Sequence, residues 1–226
     1  MLRWLINRIP ESIRNVRYAY LNERIKKKEL KRNEVRVKEM LAKGNPIRLE
    51  LGAGGRKVEG YYSVDRYDPA ALLVDFTVDT LPLPDETVDE VYTCHFLEHV
   101  RYPKPMKDIL TDVYRVLKKG GRINVVVPDA RQYIDAYLHP EKYPDPKEIC
   151  VWEPAYFHHS PIDFINYIAY LDEGEHKILF EPENIKGILE ETGFIDVEFR
   201  DPDPKLDPDY HVNAKYDSIY LYAWKK

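Results

Sequence analysis

Leu49-Glu50-Leu51-Gly52-Ala53-Gly54-Gly55 decides the fold, together with Val64-Asp65 and Val74-Asp75 downstream. An apolar strand runs into a glycine turn, and each of two further strands ends in an aspartate. Such a series places a nucleoside-shaped cleft at the carboxyl edge of a parallel sheet. Glycine lets backbone come close to a ligand without side-chain interference. An acidic residue at the tip of the next strand can accept hydrogen bonds from both ribose hydroxyls, and Asp65 stands at that position.

Spacing narrows the ligand. A dinucleotide site needs G-x-G-x-x-G opening a helix, because the positive helix N-terminus holds the pyrophosphate. Here the glycines read G-x-G-G, and Arg56-Lys57-Val58-Glu59-Gly60-Tyr61-Tyr62 leads almost at once into Ser63-Val64-Asp65. So few residues cannot hold a helix of two or three turns with its connections. A pyrophosphate would lose its main anchor, whereas a cofactor with ribose and adenine but no phosphate would lose little. S-adenosylmethionine fits that description and NAD does not.

Four motifs in order now carry a family resemblance. Glu50-Leu51-Gly52-Ala53-Gly54-Gly55 resembles the first motif of class I S-adenosylmethionine-dependent methyltransferases. Leu81-Pro82-Leu83-Pro84-Asp85-Glu86-Thr87-Val88-Asp89-Glu90-Val91-Tyr92 resembles the L-P-F-P-D-x-S-F-D-x-V segment of the type-11 branch, and Cys94-His95-Phe96-Leu97-Glu98-His99-Val100 the S-H-x-L-E-H-V after it. Leu117-Lys118-Lys119-Gly120-Gly121-Arg122-Ile123 is similar to the L-K-P-G-G-x-L turn before the fifth strand. The resemblance implies a Rossmann-like α/β sheet, mostly parallel, of seven strands with an antiparallel last strand. It implies S-adenosylmethionine as cofactor, with S-adenosylhomocysteine as product. Gly52, Ala53, Gly54 and Gly55 would line the methionine moiety, with Glu50 bracing the loop. Asp65, with Arg66 beside it, would hold the ribose, and Asp75 and Phe76 would lie near the adenine. His95 would sit at the end of the fourth strand, touching the cofactor where methyl donor meets acceptor.

Outward from the motifs, the pattern places strands at Ile47–Leu51, Tyr62–Val64, Leu72–Asp75, Glu90–Cys94 and Arg122–Val127, and a final antiparallel pair at Phe194–Arg200 and Ser218–Trp224. Helices are expected over Lys104–Val116 and from Glu181-Pro182-Glu183-Asn184 to Glu191, stopped by Gly193. Two domains follow: a basic amphipathic helical arm over 1–44 and the methyltransferase domain over 45–226, with a proline- and aromatic-rich lid inserted at about 130–180.

Charge divides the same way. Residues 1–44 hold 13 Lys and Arg against 5 Glu, although the whole chain has a formal net charge of −5. In the arm, Leu2, Leu5, Ile6, Ile9, Ile13, Val16 and Tyr20 recur at helical spacing, Trp4 adds an interfacial aromatic, and Pro10-Glu11 can restart a helix. Such a face packs on the domain or on a second subunit, or lies on an anionic membrane. Nucleic acid is not expected as a partner, because the body is acidic and lacks aromatic RNA motifs. Cys94 and Cys150 are too few for a disulfide framework, and no apolar run approaches the ~20 residues of a membrane span. A cytoplasmic protein is expected, with peripheral contact at the inner membrane face if the arm lies on lipid.

Methyl transfer from a sulfonium is an in-line displacement, so holding donor and acceptor at reacting distance supplies most of the rate. His95 is the first candidate general base, and Asp129, at the tip of the fifth strand, the second catalytic candidate; Asp129 can equally cap the next helix. His99, Tyr133, His158, His159 and His176 are the candidate substrate contacts. No metal is expected: among His158, His159, Asp163, His176 and Glu153, no pair sits at i, i+4 with a supporting ligand. The leading function is a methyltransferase for a small-molecule or sugar/glycan-precursor acceptor. A catalytically inactive S-adenosylmethionine-binding scaffold and a nicotinamide-dependent oxidoreductase stay open beside it.

Overall fold

The computed structural model describes residues 11–67, 69–150, 159–207 and 218–226. The chain divides into two compact units between Gly44 and Asn45. In the first unit the described residues form one long helix, α1 (Glu11–Ala42), which begins at the residue after Pro10. The arm positions Leu2, Trp4, Leu5, Ile6 and Ile9 lie outside the described residues.

The second unit is built on a seven-stranded sheet. Its strands are β1 (Arg48–Leu51), β2 (Tyr62–Asp65), β3 (Leu72–Leu73), β4 (Val88–Cys94), β5 (Leu117–Pro128), β6 (Ile195–Phe199) and β7 (Ser218–Trp224). The spatial order is β3-β2-β1-β4-β5-β7-β6. The first five strands pair in parallel, and β7 runs antiparallel to both β5 and β6. This is the expected α/β sheet. From β1 the chain moves outward to β2 and β3, then returns to the other side of β1 as β4. The carboxyl ends of β1 and β4 therefore flank a topological switch point, where open α/β sheets bind ligands.

The proline-rich segment before β4 is held by one side chain. Arg115, on α2 (Lys104–Val116), donates to the carbonyls of Leu81 (3.0 Å) and Leu83 (2.9 Å) and to the carboxylates of Asp85 (2.7 Å) and Asp112 (2.8 Å). Met106, Ile109, Leu110, Val113 and Val116 form the buried stripe of α2. A second polar knot locks the far side of the sheet. Arg200 pairs bidentately with Asp207 at 2.7 and 2.8 Å and donates to Asn124 Oδ1, while Tyr92 Oη donates to Asp207 Oδ1 at 3.0 Å. Burial beside that carboxylate pushes the Tyr92 phenol far up.

Six of the seven strands differ from the expected bounds by one residue or more, and two of the shifts have a local cause. β3 stops at Leu73 because Asp75 turns the chain: its carboxylate accepts from Thr77 N and Thr77 Oγ1. β5 begins at Leu117, before the Lys118–Gly121 turn, because Gly120 and Gly121 already exchange hydrogen bonds with Lys225 (3.0 and 2.8 Å).

The insertion has its own hydrophobic centre. It contains α3 (Ala130–Leu138) and α4 (Ile162–Gly174), and Tyr133, Ala136, Ile149, Cys150, Phe164, Tyr167 and Ile168 close on one another. Beyond it, α5 (Pro182–Thr192) starts with a capping box of Glu181 and Asn184 and ends at Gly193, whose φ of +106° supplies the left-handed C-cap. Among the described residues no helix is long and apolar enough to cross a membrane.

Candidate active site

The glycine turn opens directly from β1. Gly52 N donates to Val64 O of β2 (3.0 Å), and Gly54 N donates to Asp65 Oδ2 (2.9 Å). Asp65 Oδ1 accepts from Tyr67 N at 3.1 Å, so this one carboxylate organises the loops after both β1 and β2. Gly54 and Gly55 hold φ of +55° and +84°, and a side chain added at Gly55 would meet nothing within 4 Å, so backbone there faces open space. No helix lies between β1 and β2. A strand-end carboxylate, a bare glycine loop and no helix N-terminus fit an adenosyl ligand without phosphates better than a dinucleotide.

Glu50 is buried at 1 % exposure beneath that loop. Its Oε2 accepts from Val58 N (3.3 Å), and Oε1 has no hydrogen-bond partner among the described residues. Burial pushes its carboxyl up, partly offset by the Val58 amide and by Arg56. Arg56 reaches from the loop to the carbonyl of Cys94, the last residue of β4, at 3.0 Å.

Phe96 forms a wall that the sequence did not announce. Its ring lies so close to Gly52 that a Cβ there would come within 2.5 Å of it, and it stacks at 5.3 Å on Phe76. Asp75 turns the chain beside Phe76, with a side-chain oxygen committed to Thr77. Arg66 donates to Tyr67 Oη and lies over the Tyr67 ring at 4.6 Å, both on the exposed rim.

His95 follows β4 with a φ of +51°, and its amide donates to Val126 O (3.0 Å). That backbone turn carries the ring to the switch point. Nδ1 stands 3.3 Å from Glu98 Oε1, and Nε2 meets Ser218 Oγ at 3.2 Å. Glu98 is 1 % exposed. Burial alone would push its carboxyl up, but the His95 and His99 imidazoles outweigh that and hold it below the usual range.

The remaining candidates part company. Asp129 caps α3 by accepting from Arg131 N (3.0 Å), and the Arg131 side chain covers both carboxylate oxygens, as the capping reading expects. Tyr133 is 1 % exposed in the core of the insertion, its hydroxyl donating to Ile149 O (3.3 Å), which removes it from the substrate contacts. His159 N donates to Asp163 at the start of α4, and His158 lies outside the described residues. His176 lies beside His99, ring centroids 5.2 Å apart. Arg56, Phe96, Glu98 and Ser218 join the site although they are not among the residues expected from the sequence. Phe96 and Glu98 lie inside a quoted motif, whereas nothing local marks Ser218.

Part of the chain matches a known family model. Residues 61–125 match the family model described as a methyltransferase domain. No curated protein matches the chain. Among solved structures, the chain is similar to phosphoethanolamine N-methyltransferase 2 of Haemonchus contortus in complex with S-adenosyl-L-methionine, at 14% identity and a TM-score of 0.46 over 80% of this chain and 49% of that one. It thus spans about half the length of that protein. It is also similar to a SAM-dependent methyltransferase from Archaeoglobus fulgidus (18% identity, TM-score 0.46, 84% and 92% covered). A Thermotoga maritima protein described as a SAM-dependent methyltransferase, possible histamine N-methyltransferase, has 16% identity and a TM-score of 0.48, with 80% and 83% covered. The fold assignment itself rests on this chain's strand order.

Proposed function

We propose that the protein is an S-adenosylmethionine-dependent methyltransferase whose acceptor is a small molecule or a sugar or glycan precursor. The observation that carries the reading is Asp65 at the end of β2, fastened to Gly54 of a glycine turn that no helix follows. When bound, the cofactor supplies an electrophilic methyl group on sulfur, open to in-line displacement. The chain's own residues supply position. Asp65 would receive the ribose hydroxyls, and the bare backbone of Gly54 and Gly55 would pass under the methionine end. Phe76 and Phe96 would wall the adenine side and exclude water. Glu98 orients the His95 ring from the buried side, so Nε2 faces the cleft beside Ser218 and is placed to accept a proton from the acceptor.

Cys94 and Cys150 are buried thiols outside any disulfide, which supports a reducing cytoplasmic setting. The basic arm would add contact with an anionic membrane or with a second copy; equal liposome binding with and without residues 1–44 would reject the membrane part.

Calorimetric titration with S-adenosylhomocysteine tests the cofactor, with Asp65→Ala and NAD as controls. Binding of S-adenosylhomocysteine, none of NAD, and a loss of roughly 1.5–3 kcal/mol in the variant, about ten-fold or more, are expected. Absence of binding would reject the reading. Binding without turnover of labelled donor across metabolite and sugar acceptors would identify a scaffold instead.

A further inference from the structure

Glu98, which the methyl-transfer reading uses only to orient His95, also meets His99 and His176. Glu98 and His99 lie on the single 3-10 turn Leu97–His99 after β4, and His176 follows the end of α4. A short backbone bond joins the two segments: Lys177 N donates to Glu98 O at 2.6 Å. One donor atom from each of the three side chains then lies within 4.8 Å of the others.

Three observations point to a ligand. First, Glu98 is 1 % exposed, yet neither carboxylate oxygen accepts a hydrogen bond among the described residues. His95 approaches Oε1 to 3.3 Å without hydrogen-bond alignment, which leaves Oε2 available. Burying a carboxylate without aligned hydrogen bonds is costly, and the His95 contact at 3.3 Å reaches only one of the two oxygens. Second, Nδ1 of His176 bonds the carbonyl of Ile168 at 2.8 Å, which leaves Nε2 as its outward donor atom. Metal-bound imidazoles typically use their second nitrogen in this way, fixing tautomer and ring direction. Third, the crevice between Glu98 and His176 is walled by Pro128, Ile168 and Phe180. Apolar walls strengthen the attraction of a carboxylate for a cation.

We propose that Glu98, His99 and His176 form a divalent transition-metal site of the zinc type. Two imidazoles and one carboxylate are a recognised donor set for zinc, with a fourth position left to water or another ligand. The ion would bind the end of the inserted segment to the turn that carries His95. It would also neutralise the buried carboxylate. The proposal does not depend on methyl transfer and can fail or stand independently of it.

The test is Zn2+ itself, titrated by calorimetry into the full chain after chelator treatment and dialysis, with metal content read by mass spectrometry. One ion per chain is expected, with a rise in melting temperature on addition. His99→Gln and His176→Gln should each weaken binding by at least about 100-fold, since loss of mere supporting partners costs about 10–100-fold. Both changes lie on partly exposed side chains, so they carry the test if Glu98→Gln fails to fold. His139→Gln, on the exposed end of α3, should leave binding unchanged. X-ray absorption should show nitrogen and oxygen ligands without sulfur, excluding Cys94. No saturable uptake, uptake equal in the His99→Gln/His176→Gln double variant, or a sulfur shell would overturn the proposal.

Discussion

Nδ1 of His95 stands 3.3 Å from Oε1 of Glu98, and the carboxylate sits on the buried side of the ring. The turn at His95 has a left-handed φ of +51°, uncommon outside glycine, and the opposite ring nitrogen meets Ser218 Oγ at 3.2 Å.

His95→Gln should therefore separate chemistry from binding. A lost proton acceptor typically costs 10²–10⁴-fold in rate, so kcat should fall within about that range. S-adenosylhomocysteine affinity should stay within a few-fold, as measured by calorimetry. An unchanged kcat with a proportional loss of cofactor affinity would make His95 a wall of the cofactor site only.

The glycine loop predicts unequal costs. Gly55→Ala meets no atom within 4 Å and carries only the left-handed backbone penalty of about 1–2 kcal/mol. Gly52→Ala carries that penalty and also drives a methyl group into the Phe96 ring. Melting temperature should fall further for Gly52→Ala, by about 2–4 °C for each extra kcal/mol. Equal losses would mean that the Phe96 ring yields freely.

Glu50 gives a pH signature. Its folded-state pKa is raised, so the folded protein holds the proton more tightly than the unfolded chain. The stability tied to that proton is present below the ordinary carboxyl value and is lost as pH rises through the folded value. Glu50→Gln removes the buried charge and can keep the oxygen that accepts from Val58 N. The variant should gain melting temperature over wild type at pH 7.5, and the gain should shrink toward pH 4. A gain that grows on acidification would reverse the sign and reject the account.

Asp207→Ala strands Arg200, whose side chain is 9 % exposed, without its bidentate partner. Removing one member of a buried pair costs about 3–5 kcal/mol, which denaturant unfolding would resolve. Tyr92→Phe removes only the hydroxyl that bonds Asp207 and should cost about 0.5–1.5 kcal/mol. If the two costs match, the guanidinium is compensated by the Tyr220 and Tyr222 rings rather than by the carboxylate.

What the sequence made legible was local. The Leu49–Gly55 stretch, the short passage to Tyr62 and the α2 stripe each carry their reading within a few residues, because strand alternation, helical period and glycine freedom act over that range. The insertion was harder to read. Tyr133 and Tyr167 have the spacing of a helix face, and that spacing is the same whether the face packs inward or lines a substrate pocket; their burial decides for packing. Ser218 meets His95 across a separation of 123 residues, and no pattern near either one encodes the meeting. His176 was weighed with its sequence neighbours, whereas the chain returns it to Glu98 and His99.

The position of β7 bears on how the domain is made. Among the described residues it is the last strand in sequence, yet it lies between β5 and β6. While the chain is being synthesised, β5 therefore presents a long, apolar, unpaired edge until residues 218–224 emerge. An edge of this kind recruits strands from other chains. Every nascent molecule thus passes through an interval of vulnerability to intermolecular pairing, and slowing translation before Ser218 would lengthen that interval without changing the finished protein.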